Sequence, residues 1–131
     1  MNYNSVIADV VNRINAGNRH RVKSVILSVN KNTMEIINVL LDLGLIRGFK
    51  MQPKNKVIVN MRFFYGHQLF YKLSLVSKPS KRIYWNMHRL FMEVDKNNAL
   101  IYIVSTKKGL LIGSDCLWRS LTGEVLIKIL L

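Results

Sequence analysis

Apolar positions along the chain switch between two periods. Val6, Ile7, Val10, Val11 and Ile14 recur at helical spacing and lay one stripe along a first helix, with Asp9, Asn12 and Arg13 opposite. Ser5 is its expected N-cap and Gly17 its expected stop. After the basic run Asn18-Arg19-His20-Arg21, the segment Val22 to Val29 reads as a strand. A second helix is expected to start at Asn32, which forms a capping box with Glu35. Met34, Ile37, Leu40 and Leu41 would be its buried stripe and Gly44 its end. Leu45 to Met51 is a short strand, and Pro53-Lys54-Asn55 makes a turn. Val57, Val59, Met61 and Phe63 then alternate with Ile58, Asn60 and Arg62 as a half-buried strand that reaches a turn at Gly66.

The second half is mostly strand. Leu69, Tyr71, Leu73 and Leu75 alternate with Phe70, Lys72 and Ser74. The basic turn Ser77-Lys78-Pro79-Ser80-Lys81-Arg82 interrupts, and Ile83-Tyr84-Trp85 is extended again. Asn86 to Val94 fits either a helical turn or a loop, and Asp95 to Asn98 reads as a loop. Ala99 to Val104 is a buried strand, Ser114 to Arg119 a short helix, and Glu124 to Leu130 a closing strand. The expected fold is α+β in two small lobes. Residues 1–66 form an N-terminal α-β-α-β-β unit, and residues 67–131 a mostly antiparallel β unit with a short helix.

Charge changes this picture most. Twenty Lys and Arg stand against seven Asp and Glu, a formal net charge of +13 on 131 residues. Such a field attracts polyanions, either nucleic acid or an anionic membrane surface. Half of the residues are hydrophobic, enough for a packed core, which argues against disorder. No apolar run approaches the roughly 20 residues that span a bilayer. No stretch pairs a Lys/Arg-rich face with a separate large apolar one, so membrane attachment is not expected. Met1-Asn2-Tyr3-Asn4 leads straight toward the first helix, with no signal or transit segment expected.

Candidate chemistry is sparse. Cys116 is the sole cysteine, which leaves no internal disulfide and no Cys-based zinc site. His20, His67 and His88 lack the spacing that puts two ligands on one helix face. No metal and no cofactor are expected. The seven acids are scattered, and neither a phosphate-binding Gly-rich loop nor a nucleophile elbow is present. A catalytic role is not expected, nor a small-molecule substrate.

Binding has more to stand on. Ser105-Thr106-Lys107-Lys108-Gly109 follows a buried strand, so a rigid element aims it. Hydroxyls suit phosphate, ribose or base edges, lysines neutralise phosphate, and glycine permits close backbone approach. An ordinary exposed turn fits the same spacing. Lys78, Lys81 and Arg82 stand beside Tyr84 and Trp85, which suits stacking on unpaired bases, though aromatics at strand spacing are also ordinary core residues. Arg19, Arg21 and Lys23 read either as a third basic patch or as a solvated edge.

Four segments, in order and at compatible spacing, resemble one family. Val104-Ser105-Thr106-Lys107-Lys108-Gly109 followed by Thr122-Gly123-Glu124-Val125-Leu126 is similar to the C-terminal signature of small-subunit ribosomal protein 8. That signature typically reads Val-Ser-Thr-Ser-Lys-Gly and then Gly-Gly-Glu. Val76 to Tyr84 resembles the family's Ser-Arg-Pro-Gly-x-Arg-x-Tyr turn. Ile7-Ala8-Asp9-Val10-Val11-Asn12-Arg13-Ile14 resembles its opening helix, and Lys31 to Ile46 its second. The resemblance implies a two-lobed α+β protein that binds small-subunit ribosomal RNA in the central domain and supports its assembly beside neighbouring small-subunit ribosomal proteins. It implies that Ser105, Thr106, Lys108 and Gly109 meet RNA, with Gly123, Glu124 and Tyr84 alongside and Arg13 and Lys31 in the N-terminal lobe. Lys107, Lys81 and Arg82 complete the candidate set by charge.

Several positions depart from the family pattern. Ser5-Val6 replaces Asp-Pro, Lys107 replaces a hydroxyl residue, Ser80 and Thr122 replace glycines, and Thr33 stands where Lys is common. The alternative function is a basic regulator that binds duplex DNA, which would need a basic recognition helix. The second helix instead carries Glu35 and Asp42. A chain rich in Asn, Ile and Lys fits an AT-rich genome. The expected compartment is the mitochondrion, with plastid or bacterial cytoplasm as alternatives.

Overall fold

The computed structural model describes residues 3–96 and 98–131, with side chains from Val6 onward. The chain is α+β and divides into two compact units, Met1–Tyr71 and Lys72–Leu131.

The first unit runs α1 (Tyr3–His20), β1 (Ser24–Ser28), α2 (Lys31–Asp42), β2 (Ile46–Gln52) and β3 (Lys56–Met61), the expected α-β-α-β-β order. A small hairpin follows, β4 (Phe63–Phe64) and β5 (His67–Gln68). The antiparallel sheet has the order β1-β3-β2. Alternation along β3 buries Val57, Val59 and Met61 with Leu27, Ile36, Ile37 and Leu40. The cross-strand partners Ser24 and Asn60, together with Ile26, stand exposed on the sheet.

The helix boundaries differ from those the sequence pattern predicts. α1 begins at Tyr3, so Ser5 lies in its first turn and does not precede it. Gly17 is not the stop. It lies within the helix, where a Cβ would overlap Val25 Cγ2, so the missing side chain serves helix–strand packing. The helix ends instead at Arg21, held at φ 55°, where Val22 N–H donates to the Gly17 carbonyl (3.1 Å) and Arg21 N–H to that of Asn18 (3.4 Å). This is the Schellman pattern with arginine in the place glycine usually takes.

The α2 cap is Asn30, not Asn32. Asn30 is extended, and its side-chain oxygen accepts from Thr33 N–H at 2.9 Å, while Asn32 is already helical. The buried stripe is Thr33, Ile36, Ile37, Val39 and Leu40, and Leu41 faces outward. Gly44 ends the helix as expected, at φ +76° with Leu45 N–H donating to the Leu40 carbonyl (3.0 Å).

The second unit contains β6 (Lys72–Leu75), α3 (Met87–Lys96), β7 (Leu100–Thr106), β8 (Gly109–Ile112), α4 (Gly113–Arg119) and β9 (Glu124–Leu130). Its antiparallel sheet is ordered β6-β9-β7-β8. The helices pack on a core of Leu90, Tyr102, Val104, Cys116 and Val125. The strand expected over Leu69 to Leu75 is shorter, because the chain bends before Lys72 and buries Phe70, not Tyr71. At that bend the Asn18 amide donates to the Phe70 carbonyl at 2.9 Å. The ambiguous segment after Trp85 is helical. Asn86 caps α3 by accepting from Arg89 N–H at 2.8 Å, and Asp95 and Lys96 belong to the helix, not to a loop. Asn97 lies outside the described residues.

Candidate nucleic-acid interface

Ser105 to Gly109 is not a free loop. Ser105 and Thr106 are the last residues of β7, paired with Leu110 and Gly109 of β8, and only Lys107 and Lys108 form the turn. Gly109 sits at φ +103°, where any side chain is strained. The Thr106 hydroxyl donates to the Gly109 carbonyl (2.8 Å) and accepts from Lys108 N–H (3.2 Å). It therefore fixes the hairpin and presents the two exposed lysines.

The start of β9 lies against this hairpin. Glu124 pairs with Ser105, and a Cβ at Gly123 would overlap the Ser105 carbonyl oxygen. Two backbones thus approach as closely as glycine allows, bringing Ser105, Thr106, Gly123 and Glu124 together as the resemblance implied. Glu124 is 8% exposed. Its Oε1 lies 3.9 Å from Arg82 Nη1, and its buried Oε2 has no partner among the described residues. That separation is loose for an ion pair, and the arrangement leaves acceptor capacity beside an exposed cation.

The basic turn borders the same strand. Lys78 and Lys81 exchange backbone hydrogen bonds of 2.9 and 3.0 Å, closing a tight turn over Pro79-Ser80. Ser80 does not take a positive φ there, so the turn has no need of glycine. Val125 N–H donates to the Ile83 carbonyl (2.9 Å), and Tyr84 forms a bridge with Glu124. The two aromatics divide by strand alternation. Tyr84 is 65% exposed beside Arg82, while Trp85 is half-buried, edge-on to Tyr102 and under the Arg89 guanidinium. Trp85 is a core residue and Tyr84 a surface one.

Two hydroxyls escaped sequence reasoning. Ser77 is buried beneath the basic turn, donates to the Val125 carbonyl (2.7 Å) and accepts from Ile83 N–H (2.9 Å), which fastens the turn to β9. Thr122 donates to the Trp85 carbonyl, so the residue replacing a family glycine adds a tie between the same segments. Serine next to a Pro turn reads as solvated, and only the fold reveals that its hydroxyl is enclosed.

Arg13 and Lys31 belong to the first unit. Arg13 Nε is 3.1 Å from both Asp9 carboxylate oxygens, a pair exposed on one helix face, and Lys31 is the exposed first residue of α2. Burial pushes the Cys116 thiol up to about 11, with Asp115 adding to the effect, which keeps it protonated and a poor nucleophile. Among the described residues no three His, Cys, Asp or Glu gather to hold a metal ion, and no helix is long and apolar enough to cross a membrane.

Fold and surface define a class: a small, carboxylate-poor α+β protein that offers a polyanion a fixed hairpin flanked by cations, hydroxyls and an exposed ring. Within that class the chain belongs to the Ribosomal protein S8 family, whose profile matches residues 5–130. It is 31% identical to small ribosomal subunit protein uS8 of Zymomonas mobilis, over 94% of this chain and 95% of that protein. Similarity to the uS8 protein of Caulobacter sp. strain K31 is also 31%, over 98% and 99%. The protein named uS8m of Acanthamoeba castellanii is 25% identical over 95% and 98%.

Proposed function

We infer that the chain is a structural constituent of the small ribosomal subunit, binding small-subunit ribosomal RNA in the central domain and supporting its assembly. The observation that carries this reading is the close approach of Ser105-Thr106 to Gly123-Glu124, edged by Lys107, Lys108, Arg82 and Tyr84. Cations supply affinity for any polyanion, and the close-packed backbone supplies a shape that an irregular RNA helix must match. Ser105, Thr106, Lys107, Lys108, Gly109, Lys81, Arg82, Tyr84, Gly123 and Glu124 form the proposed RNA contact region of the second unit. Arg13 and Lys31 are the proposed contacts of the first.

The family is not one of enzymes, and its membership implies ribosomal RNA and neighbouring small-subunit ribosomal proteins as partners. The duplex-DNA reading has no support, since Lys31 is the sole cation of α2, against Glu35 and Asp42. We assign the protein to the mitochondrion. The AT-rich residue usage and the 25% identity to uS8m of Acanthamoeba castellanii support that assignment, while the bacterial relatives are 31% identical.

The test is binding to a helical central-domain rRNA fragment and to a random RNA duplex across a salt series, together with sedimentation of the protein in cell extracts. The reading expects tighter binding to the fragment, a steep fall with salt and co-sedimentation with small subunits. Equal affinity for both RNAs, or sedimentation apart from ribosomes, overturns it.

A further inference from the structure

The first unit holds a second concentration of RNA-binding chemistry. Arg21, Lys23, Arg47, Asn60 and Phe63 line a cleft of about 390 Å³ at one end of the β1-β3-β2 sheet. No carboxylate lines it, and residues 10–34 and 43–92 contain no Asp or Glu. The ion pairs found among the described residues are Arg13–Asp9, Arg82–Glu124 and Arg89–Glu93, so none involves Arg21, Lys23 or Arg47.

The backbone holding these cations is fixed. Arg21 occupies a left-handed position at the end of α1, and the Lys23 carbonyl accepts from Met61 N–H at 2.8 Å. Three like charges along one cleft repel each other in the free protein, and no carboxylate among the described residues pairs with them. A bound anion offsets that repulsion.

From Phe63 the chain runs directly into the β4–β5 hairpin, whose tip carries two rings with no core to enter. Tyr65 is 87% exposed and Phe64 62%, edge-on to each other at 4.6 Å between centroids. Tyr65 has φ 49° ahead of Gly66 at φ 77°, a turn position where Asn is ordinarily favoured and a bulky ring is strained. The hairpin is tied to the same helix end as Arg21, because the Asn18 carbonyl accepts from both Gln68 Nε2 (2.7 Å) and Arg21 N–H (3.4 Å). An exposed ring in a strained turn, two residues along the chain from the cleft-lining Phe63, lacks a structural purpose and has a ready binding one.

We propose that the Arg21–Lys23–Arg47 cleft and the Tyr65 hairpin form a site for unpaired RNA, with backbone phosphates in the cleft and a base stacked on Tyr65. A charged groove with aromatic platforms is the general solution for single strands, since every base has a flat face. The site rests on the RNA-binding reading above and adds to it a second, sequence-tolerant contact for a non-helical segment.

The probe is a single-stranded oligouridine, titrated against the full chain, with the helical rRNA fragment measured in parallel. The triple variant R21Q/K23Q/R47Q is expected to flatten the dependence of log affinity on log salt by about two to three units for the oligouridine. A control of equal net charge, K54Q/K96Q/R119Q, is expected to keep most of that slope. Tyr65→Asn suits the left-handed turn while removing the ring, and is expected to weaken oligouridine binding about tenfold with the slope unchanged. Equal losses in the two triple variants, or full affinity in Tyr65→Asn, overturn the site. So does loss by the first triple variant of binding to polyglutamate or to phosphatidylserine vesicles with oligouridine binding intact. Preference of the wild-type chain for the helical fragment is read separately, so its absence counts against the general function and not against this cleft.

Discussion

Gly123 and Ser105 touch backbone to backbone: the space a Cβ would need at residue 123 is already filled by the Ser105 carbonyl. The contact holds the residue just before β9 against the end of β7. Gly123→Ala must push these strands apart. A loss of about 1–3 kcal/mol in urea unfolding is expected, with weaker binding to the helical rRNA fragment. An alanine variant of wild-type stability would show that the two backbones have room for a side chain.

Ser77 makes a separate prediction. Its buried hydroxyl satisfies both Val125 and Ile83, so Ser77→Ala leaves a buried carbonyl and a buried N–H without that partner. The expected loss is about 1–3 kcal/mol. Because the basic turn hangs on this residue, amide exchange should rise first at Lys78 to Ile83. Uniform exchange across the second unit would contradict a local fastening role.

Thr106 acts through the hairpin, which a pair of variants can separate from bulk charge. Thr106→Ala removes the bonds to Gly109 and Lys108, whereas Thr106→Ser keeps the hydroxyl. The alanine variant is expected to lose more affinity for the rRNA fragment than for random duplex, and serine to restore most of it. Equal losses on both RNAs would mean that the hairpin contributes charge alone.

Alkaline pH should weaken the fold. The Cys116 thiol is pushed up to about 11 by burial, and burial also raises Tyr102, aided by Glu93. The native chain therefore holds protons that the unfolded chain releases at lower pH. Stability is unaffected below the ordinary thiol value near 9 and falls as pH rises from there through about 11. Thermal unfolding across that range should show the fall, and Cys116→Ala should reduce it. At pH near 8 the native thiol should resist alkylation and become reactive only in denaturant. Rapid labelling of the folded chain would contradict the burial.

Elements whose signal lies in side-chain period were readable from the sequence. Val57, Val59 and Met61 alternate and are buried, and Ile7, Val10 and Ile14 line the inner face of α1. Signals that depend on another element were not. Gly17 reads as a helix stop because glycine usually is one, yet it is small in order to admit Val25. Asn30 and Asn32 are both competent caps, and the extended backbone at Asn30 decides between them. At the candidate site, the motif residues Ser105, Thr106, Gly123 and Glu124 were visible by resemblance. Their division of labour was not, because a hydroxyl that closes a turn and one that awaits a ligand have the same sequence.

The reciprocal hydrogen bonds between Lys78 and Lys81, and those of Thr106 around Lys107 and Lys108, bear on how the complex forms. Both basic turns have lost their backbone freedom before any RNA arrives, so association need not supply that ordering entropy. Binding should then proceed as docking of a preorganised surface, without the large heat-capacity change of coupled folding. Two turns closed in this way present RNA with a surface whose shape is set in advance.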